Sequence, residues 1–232
     1  MESSLLRRMT DVETRHWWFR EKRNILARAV RRLGRPGRAL DIGAAGGGNS
    51  GVLVEHGWST VAADLSPTAV DIARERGFDA VEADACALPW DAGTFDLVTA
   101  FEILEHIEQD GMAVAEMFRV LRPGGTALIT VPADMRLWSA HDEAVDHVRR
   151  YDREGLCRLV EAAGFVVDEV WSWNVLLRPV VARHRQRSNG TDIDVHMPAV
   201  LNLLLFGIVV LERFLPLGSL PGVSLILRAH RP

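Results

Sequence analysis

Residues 39–49 read Ala39-Leu40-Asp41-Ile42-Gly43-Ala44-Ala45-Gly46-Gly47-Gly48-Asn49, a short apolar run that closes on a carboxylate and enters a loop of Gly and Ala. Twenty-three residues after Asp41, a second strand-like run, Thr60-Val61-Ala62-Ala63, closes on Asp64. Acids at the ends of two successive strands, with a small-residue turn after the first, suit a nucleoside lying across the strand tips. The turn lets backbone approach the ligand closely, and the second acid can accept hydrogen bonds from ribose hydroxyls.

Outward from this stretch the chain alternates. Arg38–Ile42, Ser59–Ala63, Asp79–Glu82, Phe95–Ala100 and Thr126–Val131 read as strands. Gly48–His56, Pro67–Arg76 and Asp110–Leu121 read as helices between them, the second with Ser66 as its N-cap and the third stopped by Arg122-Pro123-Gly124-Gly125. Strands spaced by helices predict a parallel sheet with right-handed crossovers. Beyond Pro132 the stretch Met135–Tyr151 is polar, rich in His, Asp and Arg, and without a steady period. Arg153–Ala163 is a further helix, Phe165–Trp171 a sixth strand and Val223–Arg228 a last one. The fold class is α/β: a doubly wound, mostly parallel seven-stranded sheet whose last strand runs antiparallel. Residues 1–37 are assigned to an N-terminal helical cap and 38–232 to the main domain, with a helical insertion at about 174–221.

Bulk properties narrow the class. A chain of 232 residues holds one sizeable domain, and 48% apolar with 25% charged residues is ordinary for a globular protein. The net charge of −4 gives no electrostatic case for nucleic acid, although arginines crowd at Arg28–Arg38 and Arg183–Arg187. Two distant cysteines, Cys86 and Cys157, exclude a disulfide framework or zinc ribbon, so a reducing cytoplasm is expected. Met1–Arg8 has no apolar signal-peptide core. The uncharged run Val195–Leu211 is short for a membrane span and contains Pro198 and Asn202.

The segments LDIGAAGGGNS (40–50), AADLSP (62–67), EADACALPW (82–90), FDLVTAFEILEHI (95–107) and LRPGGTALITVP (121–132) together resemble the ordered motif set of class I S-adenosylmethionine-dependent methyltransferases. The resemblance covers roughly residues 38–172 and the final strand. It implies S-adenosyl-L-methionine as cofactor and S-adenosyl-L-homocysteine as product. Asp41 then counters the ammonium, while Gly43, Ala44, Ala45 and Gly47 lie against the methionyl and ribose region. Asp64 takes the diol, Leu65 packs on adenine, Asp84 accepts from the adenine amino group and the Ala85 N–H donates to a ring nitrogen. Phe101, at the tip of strand 4, is placed beside the cofactor. One departure stands out: Ala45 replaces the middle glycine of the usual loop, which is tolerable if its φ stays negative. A dinucleotide is the rival ligand, but its G-x-G-x-x-G turn is missing here.

Two clusters compete for the acceptor chemistry. Glu102, Glu105 and His106 follow strand 4 and would share a helical face. The stretch is similar to the ubiquinone-pathway O-methyltransferases, in which E-x-x-E-H-x-x-acid holds a divalent metal, but Gln109 stands at the fourth position. A divalent metal on Glu102, Glu105 and His106 is the second choice; acids at a helix N-terminus beside a structural histidine are the first. The other cluster is Trp138–Glu143 with Asp146–Tyr151. His141, His147 and, from the first cluster, His106 are the candidate bases. Asp142, Arg149, Arg150 and Tyr151 are candidate substrate contacts, the arginines for a carboxylate or phosphate, with the bland alternative a polar lid whose arginines pair with local acids.

His16-Trp17-Trp18-Phe19-Arg20 resembles an N-terminal element of bacterial relatives that caps the cofactor cleft, which makes Trp18 a further substrate contact. The expected function is methyl transfer to a small-molecule acceptor, hydrophobic or anionic, at oxygen and in biosynthesis. No Asn/Asp-Pro-Pro-Tyr/Phe motif follows strand 4, which speaks against planar nitrogens and nucleic acid. The alternative is a protein of the same fold that uses the cofactor pocket for another step or for binding alone. The segment 198–215 is apolar almost all round and must be covered by the domain, a homodimer partner or a membrane edge, with burial in the domain preferred.

Overall fold

The computed structural model describes residues 12–185 and 197–232. Seven strands form one sheet: β1 (Arg38–Ile42), β2 (Ser59–Asp64), β3 (Asp79–Glu82), β4 (Phe95–Phe101), β5 (Leu121–Pro132), β6 (Val166–Trp173) and β7 (Ser224–His230), in the order β3-β2-β1-β4-β5-β7-β6. β1 to β5 pair in parallel, and β7 runs antiparallel between β5 and β6. This is the doubly wound sheet expected from the alternation. Chain order reverses at β1, flanked by β2 and β4, so a crevice opens above the carboxyl ends of β1 and β4.

Local chemistry accounts for the helices. Helix α1 (Trp17–Val30) starts at His16, whose Nδ1 accepts the Trp18 N–H, and it buries Trp17, Ile25, Leu26 and Val30 against the domain. Helix α2 (Gly48–Glu55) follows the glycine loop, and α3 (Pro67–Glu75) is capped by Ser66 with Pro67 at its first position. Helix α4 (Asp110–Val120) runs into β5 without a break. The Arg122-Pro123-Gly124-Gly125 stretch, expected as a helix stop, lies inside β5, because Leu121 already pairs with Phe95 across a register shift in β4. The aperiodic stretch after β5 contains a short helix, α5 (Ala140–Ala144), closed by a Ser139–Asp142 capping box. Helix α6 (Arg153–Ala162) precedes β6.

Between β6 and β7 lie α7 (Arg178–Arg185) and α8 (Ala199–Leu211). The Ser188–Asp194 linker falls outside the described residues. The preference for a buried 198–215 segment is not met: Val209 alone of α8 is buried, and Val200, Leu203, Leu204 and Leu211 stand in solvent.

The core sits on both faces of the sheet. On one, Leu40, Phe95, Val98 and Ile129 pack with Met117 and Val120 of α4. On the other, Leu97 and Leu128 meet Leu26 and Val30 of α1 and Leu53 of α2. The first helix is thereby fixed over the β1–β4 crevice.

Candidate active site

The amino-proximal half of the crevice is built from turns. Gly43 and Ala44 donate their N–H groups to the Ala63 carbonyl at 2.8 and 3.1 Å, which folds the loop over the end of β2. Gly43 has φ 69°, and a Cβ there would meet the Ile103 side chain at 2.8 Å. Ala45 does not keep the negative φ expected of it: its φ is 46°, in the left-handed region. Its N–H donates to Asp64 Oδ2 at 2.9 Å, and the Ser66 N–H donates to Asp64 Oδ1 at 2.9 Å. Each Asp64 oxygen keeps acceptor capacity toward solvent, and the Leu65 side chain beside it is 67% exposed. Asp84 makes a turn by accepting the Cys86 N–H at 2.8 Å. An acid with spare lone pairs, an open apolar side chain and a loop lacking side chains fit a nucleoside with a free diol.

Asp41 and Phe101 lie elsewhere than the sequence suggests. Asp41 is 1% exposed, and its carboxylate accepts the Thr99 and Ser50 hydroxyls, both at 2.7 Å. Burial pushes its pKa up to about 6 against the lowering effect of those hydrogen bonds. It ties β1 to β4 and α2 beneath the loop and does not front the cleft. Phe101 is buried among Leu26, Val30 and Leu97 and belongs to the core.

The carboxyl-proximal half is built from side chains. Glu102 follows β4 with φ 54°, a conformation that turns it out of the strand. Its Oε1 lies 3.0 Å from Lys22 Nζ of α1 and accepts the Thr130 hydroxyl at 3.1 Å. Although burial acts to raise it, the Lys22 ammonium holds the Glu102 pKa below the usual carboxylate range. Glu105 is fully buried, and among the described residues neither of its oxygens has a hydrogen-bond partner. Burial, reinforced by the Glu102 charge, drives its pKa well up.

Facing Glu105 is His147. Its Nε2 is 3.8 Å from Glu105 Oε1, and its Nδ1 is 2.9 Å from Asp142 Oδ1. Asp142 is fully buried and also accepts from Arg150 Nε at 2.8 Å and the Ser139 N–H at 3.0 Å, with Arg185 at 3.7 Å. Burial is outweighed there by His147 and Arg150, which hold the carboxyl far below its ordinary value. His106 completes the group, with its ring centroid 4.8 Å from that of His147 and its Nδ1 3.3 Å from the Asp146 carbonyl.

Several expected substrate contacts are committed inside the fold. Arg149 binds Asp110 at 2.7 Å, and Arg150 is buried on Asp142 and the Ala133 carbonyl. The bland reading of that segment therefore describes both arginines. Tyr151 is buried, with its hydroxyl donating to Asp110 at 2.8 Å. His141 sits on α5, its ring 6.1 Å from His147. Trp18 does face this half: its ring is 4.5 Å from Trp173 and 4.8 Å from the Lys22 ammonium.

Sequence reasoning missed Lys22 and Trp173. The available signal was the i, i+4 spacing of Trp18 and Lys22 on one helix face. The metal reading also changes membership. Glu102 is held by Lys22, while ligand atoms of Glu105, His106 and His147 all lie within 4.8 Å of one another. The orphaned Glu105 carboxyl and two imidazoles suit a borderline divalent ion, with Asp142 orienting His147 from behind.

Comparison with known proteins agrees with this layout. Residues 14–170 match a family model described as a methyltransferase domain. A probable S-adenosylmethionine-dependent methyltransferase of Mycolicibacterium smegmatis is 28% identical over 159 residues, spanning 66% of this chain and 61% of that protein. Demethylmenaquinone methyltransferase of Clavibacter sepedonicus is 31% identical over 179 residues, spanning 64% of this chain and 72% of that protein. Among solved structures, the methyltransferase bound to the Haloferax volcanii Trm112 activator superposes with a TM-score of 0.68 at 19% identity, covering 99% of this chain and 95% of that one.

Proposed function

Because the chain belongs to the methyltransferase-domain family and uses S-adenosylmethionine, we propose that it methylates a hydroxyl group of a small biosynthetic molecule. The observation that carries this reading is the Asp142–His147 pair, in which Asp142 holds the imidazole Nδ1 at 2.9 Å while Nε2, 3.8 Å from Glu105, makes no hydrogen bond to that carboxyl. When bound, S-adenosylmethionine supplies a methyl group on a sulfonium, which leaves as the neutral thioether. Asp142 accepts the Nδ1 proton of His147, which leaves Nε2 free to take the acceptor's hydroxyl proton as the new carbon–oxygen bond forms. Asp142 then stabilises the imidazolium that results. Trp18 and Trp173 flank the entrance and exclude water, and the Lys22–Glu102 pair orients polar groups of the acceptor.

Three more groups favour a polar acceptor on this side. The Trp173 indole N–H, the Asn174 carboxamide and the Ser224 hydroxyl are buried without hydrogen-bond partners among the described residues. Trp173 and Ser224 pair across β6 and β7 at the carboxyl edge of the sheet. Such groups are costly unless a ligand meets them.

The test is formation of S-adenosylhomocysteine over a panel of hydroxylated acceptors, with wild type against His147→Ala. A loss of about a hundredfold in kcat with cofactor affinity unchanged is expected. Wild-type turnover by the variant, or bound cofactor with no turnover on any hydroxyl, overturns the reading. A second reading rests on the Glu105, His106 and His147 cluster: a divalent ion there lowers the hydroxyl pKa and replaces the base. Full activity after exhaustive chelation removes it.

A further inference from the structure

The face formed by α8 and the turn after it has no partner within the described chain. Val200, Leu203, Leu204 and Phe214 are 72%, 65%, 61% and 78% exposed, and Val180 of α7 adds a further 61%. From Met197 to Leu211 there is no charged residue. An apolar face of this extent is not left to water. The preceding stretch, residues 186–196, offers only Ile193 and Val195 as large apolar side chains.

Charge selects the occupant. Residues 1–33 hold nine basic and four acidic residues, and 174–221 hold five and three. These two segments are positive by seven in a chain of net −4, so the remainder carries −11. They are also joined in space: the Trp17 N–H donates to Asn202 at 2.8 Å, and the Arg20 guanidinium lies 4.0 Å over the Phe206 ring. Exposed Arg15 and Arg183 belong to the same two segments. Pairing two copies through this face would bring like charges together, whereas an anionic surface meets both its apolar and its basic character. Thirteen residues of helix extend about 20 Å, short of a bilayer core of about 30 Å. No helix among the described residues is long and apolar enough to cross a membrane.

We propose that α8 and Phe214 seat the protein on an anionic lipid bilayer surface, lying in the interface without crossing it. The apolar side chains enter the acyl boundary, and the flanking arginines contact phosphate headgroups. Because α8 is bonded to the first turn of α1, this places the Trp18–Trp173 pair next to the lipid. A membrane-resident acceptor then has a short path to the cleft, a consequence that rests on the proposed methyl transfer, whereas the docking itself does not.

The experiment is vesicle co-sedimentation of the full chain, with phosphatidylcholine alone and with an equal part of phosphatidylglycerol. The wild type is expected on the mixed vesicles only, and to be released near 1 M salt, where the screening length falls to about 3 Å. Leu203→Asp with Leu204→Asp, both at exposed positions, is expected to lower partitioning by about tenfold or more. A circular-dichroism melt matching wild type shows that the variant is folded. Wild type that stays in the supernatant with both vesicle types overturns the proposal. So does a dimer in solution that the double variant breaks while vesicles remain unbound, which would assign the face to a second copy.

Discussion

The two halves of the crevice are made of different material. Around Gly43–Gly47 and Asp64 the polar contacts, apart from the Arg76 guanidinium on the Gly46 carbonyl, are backbone N–H groups meeting a nearby carbonyl or carboxylate close to a strand tip. Around Glu105 and His147 they are side chains drawn from α1, from the end of β4 and from the stretch after β5. Turn chemistry is written in local residue type, so it survives as a readable pattern. A side-chain cluster depends on which distant segments the topology brings together, and residue type says little about that. The difference also has an energetic form. Asp41 is a buried acid with two hydroxyl donors, while Glu105 is a buried acid with none among the described residues.

The severest way to break the contrast is Asp142→Asn. It leaves Arg150 buried beside a neutral amide and His147 without its anion, and should cost about 3 to 5 kcal/mol in urea unfolding. An equal midpoint in the two proteins would show that the carboxyl-proximal cluster is not held by this carboxylate. Asp41→Asn should act in the opposite direction. The folded pKa is about 6 against an ordinary 3.8, so the stability its proton confers is complete below about pH 4 and lost as pH rises through 6. At pH 7 the amide should therefore unfold later than wild type, by up to about 3 kcal/mol, with the gain absent at pH 4. Glu105→Gln should show the same sign, since its pKa too is raised by burial. A gain that does not change with pH would refute both assignments.

Smaller effects sharpen the other side. Gly43→Ala places a methyl against Ile103 at a left-handed φ, and about 2 kcal/mol of stability should go with it, along with cofactor affinity measured by calorimetry. Ala45→Gly relieves the same kind of strain at φ 46° and should gain up to about 1 kcal/mol. Thermal melts decide it: an unchanged or lower midpoint would mean the loop does not need that conformation.

What could be read beforehand follows the same division. The strands from Arg38 to Phe101 and the cap at Ser66 were legible because alternation and turn residues act over short distances. The start of β5 was not, since Pro123, Gly124 and Gly125 signal a stop that pairing with Phe95 overrides. The left-handed Ala45 was missed because alanine seldom takes that conformation. Lys22 could not be assigned to Glu102 from composition, because the two lie on elements distant in sequence that only packing brings together. The exposure of α8 was left among three alternatives, because an all-apolar helix reads as core, dimer face or membrane edge until its neighbours are known.

One consequence concerns the order in which the molecule is completed. The first helix is tied to the far end of the chain, with Trp17 bonded to Asn202 across 185 positions and Arg213 bonded to Glu21 across 192. Glu21 is buried, so before residue 213 exists that anion lacks one of its two arginines. During synthesis the first turn of this helix therefore gains its last partners only when nearly the whole polypeptide has emerged, and closing so long a loop is slow. A chain stopped short of Asn202 would still pack Leu26 and Val30 on the sheet, with the Trp17 N–H and the buried Glu21 each short of a partner.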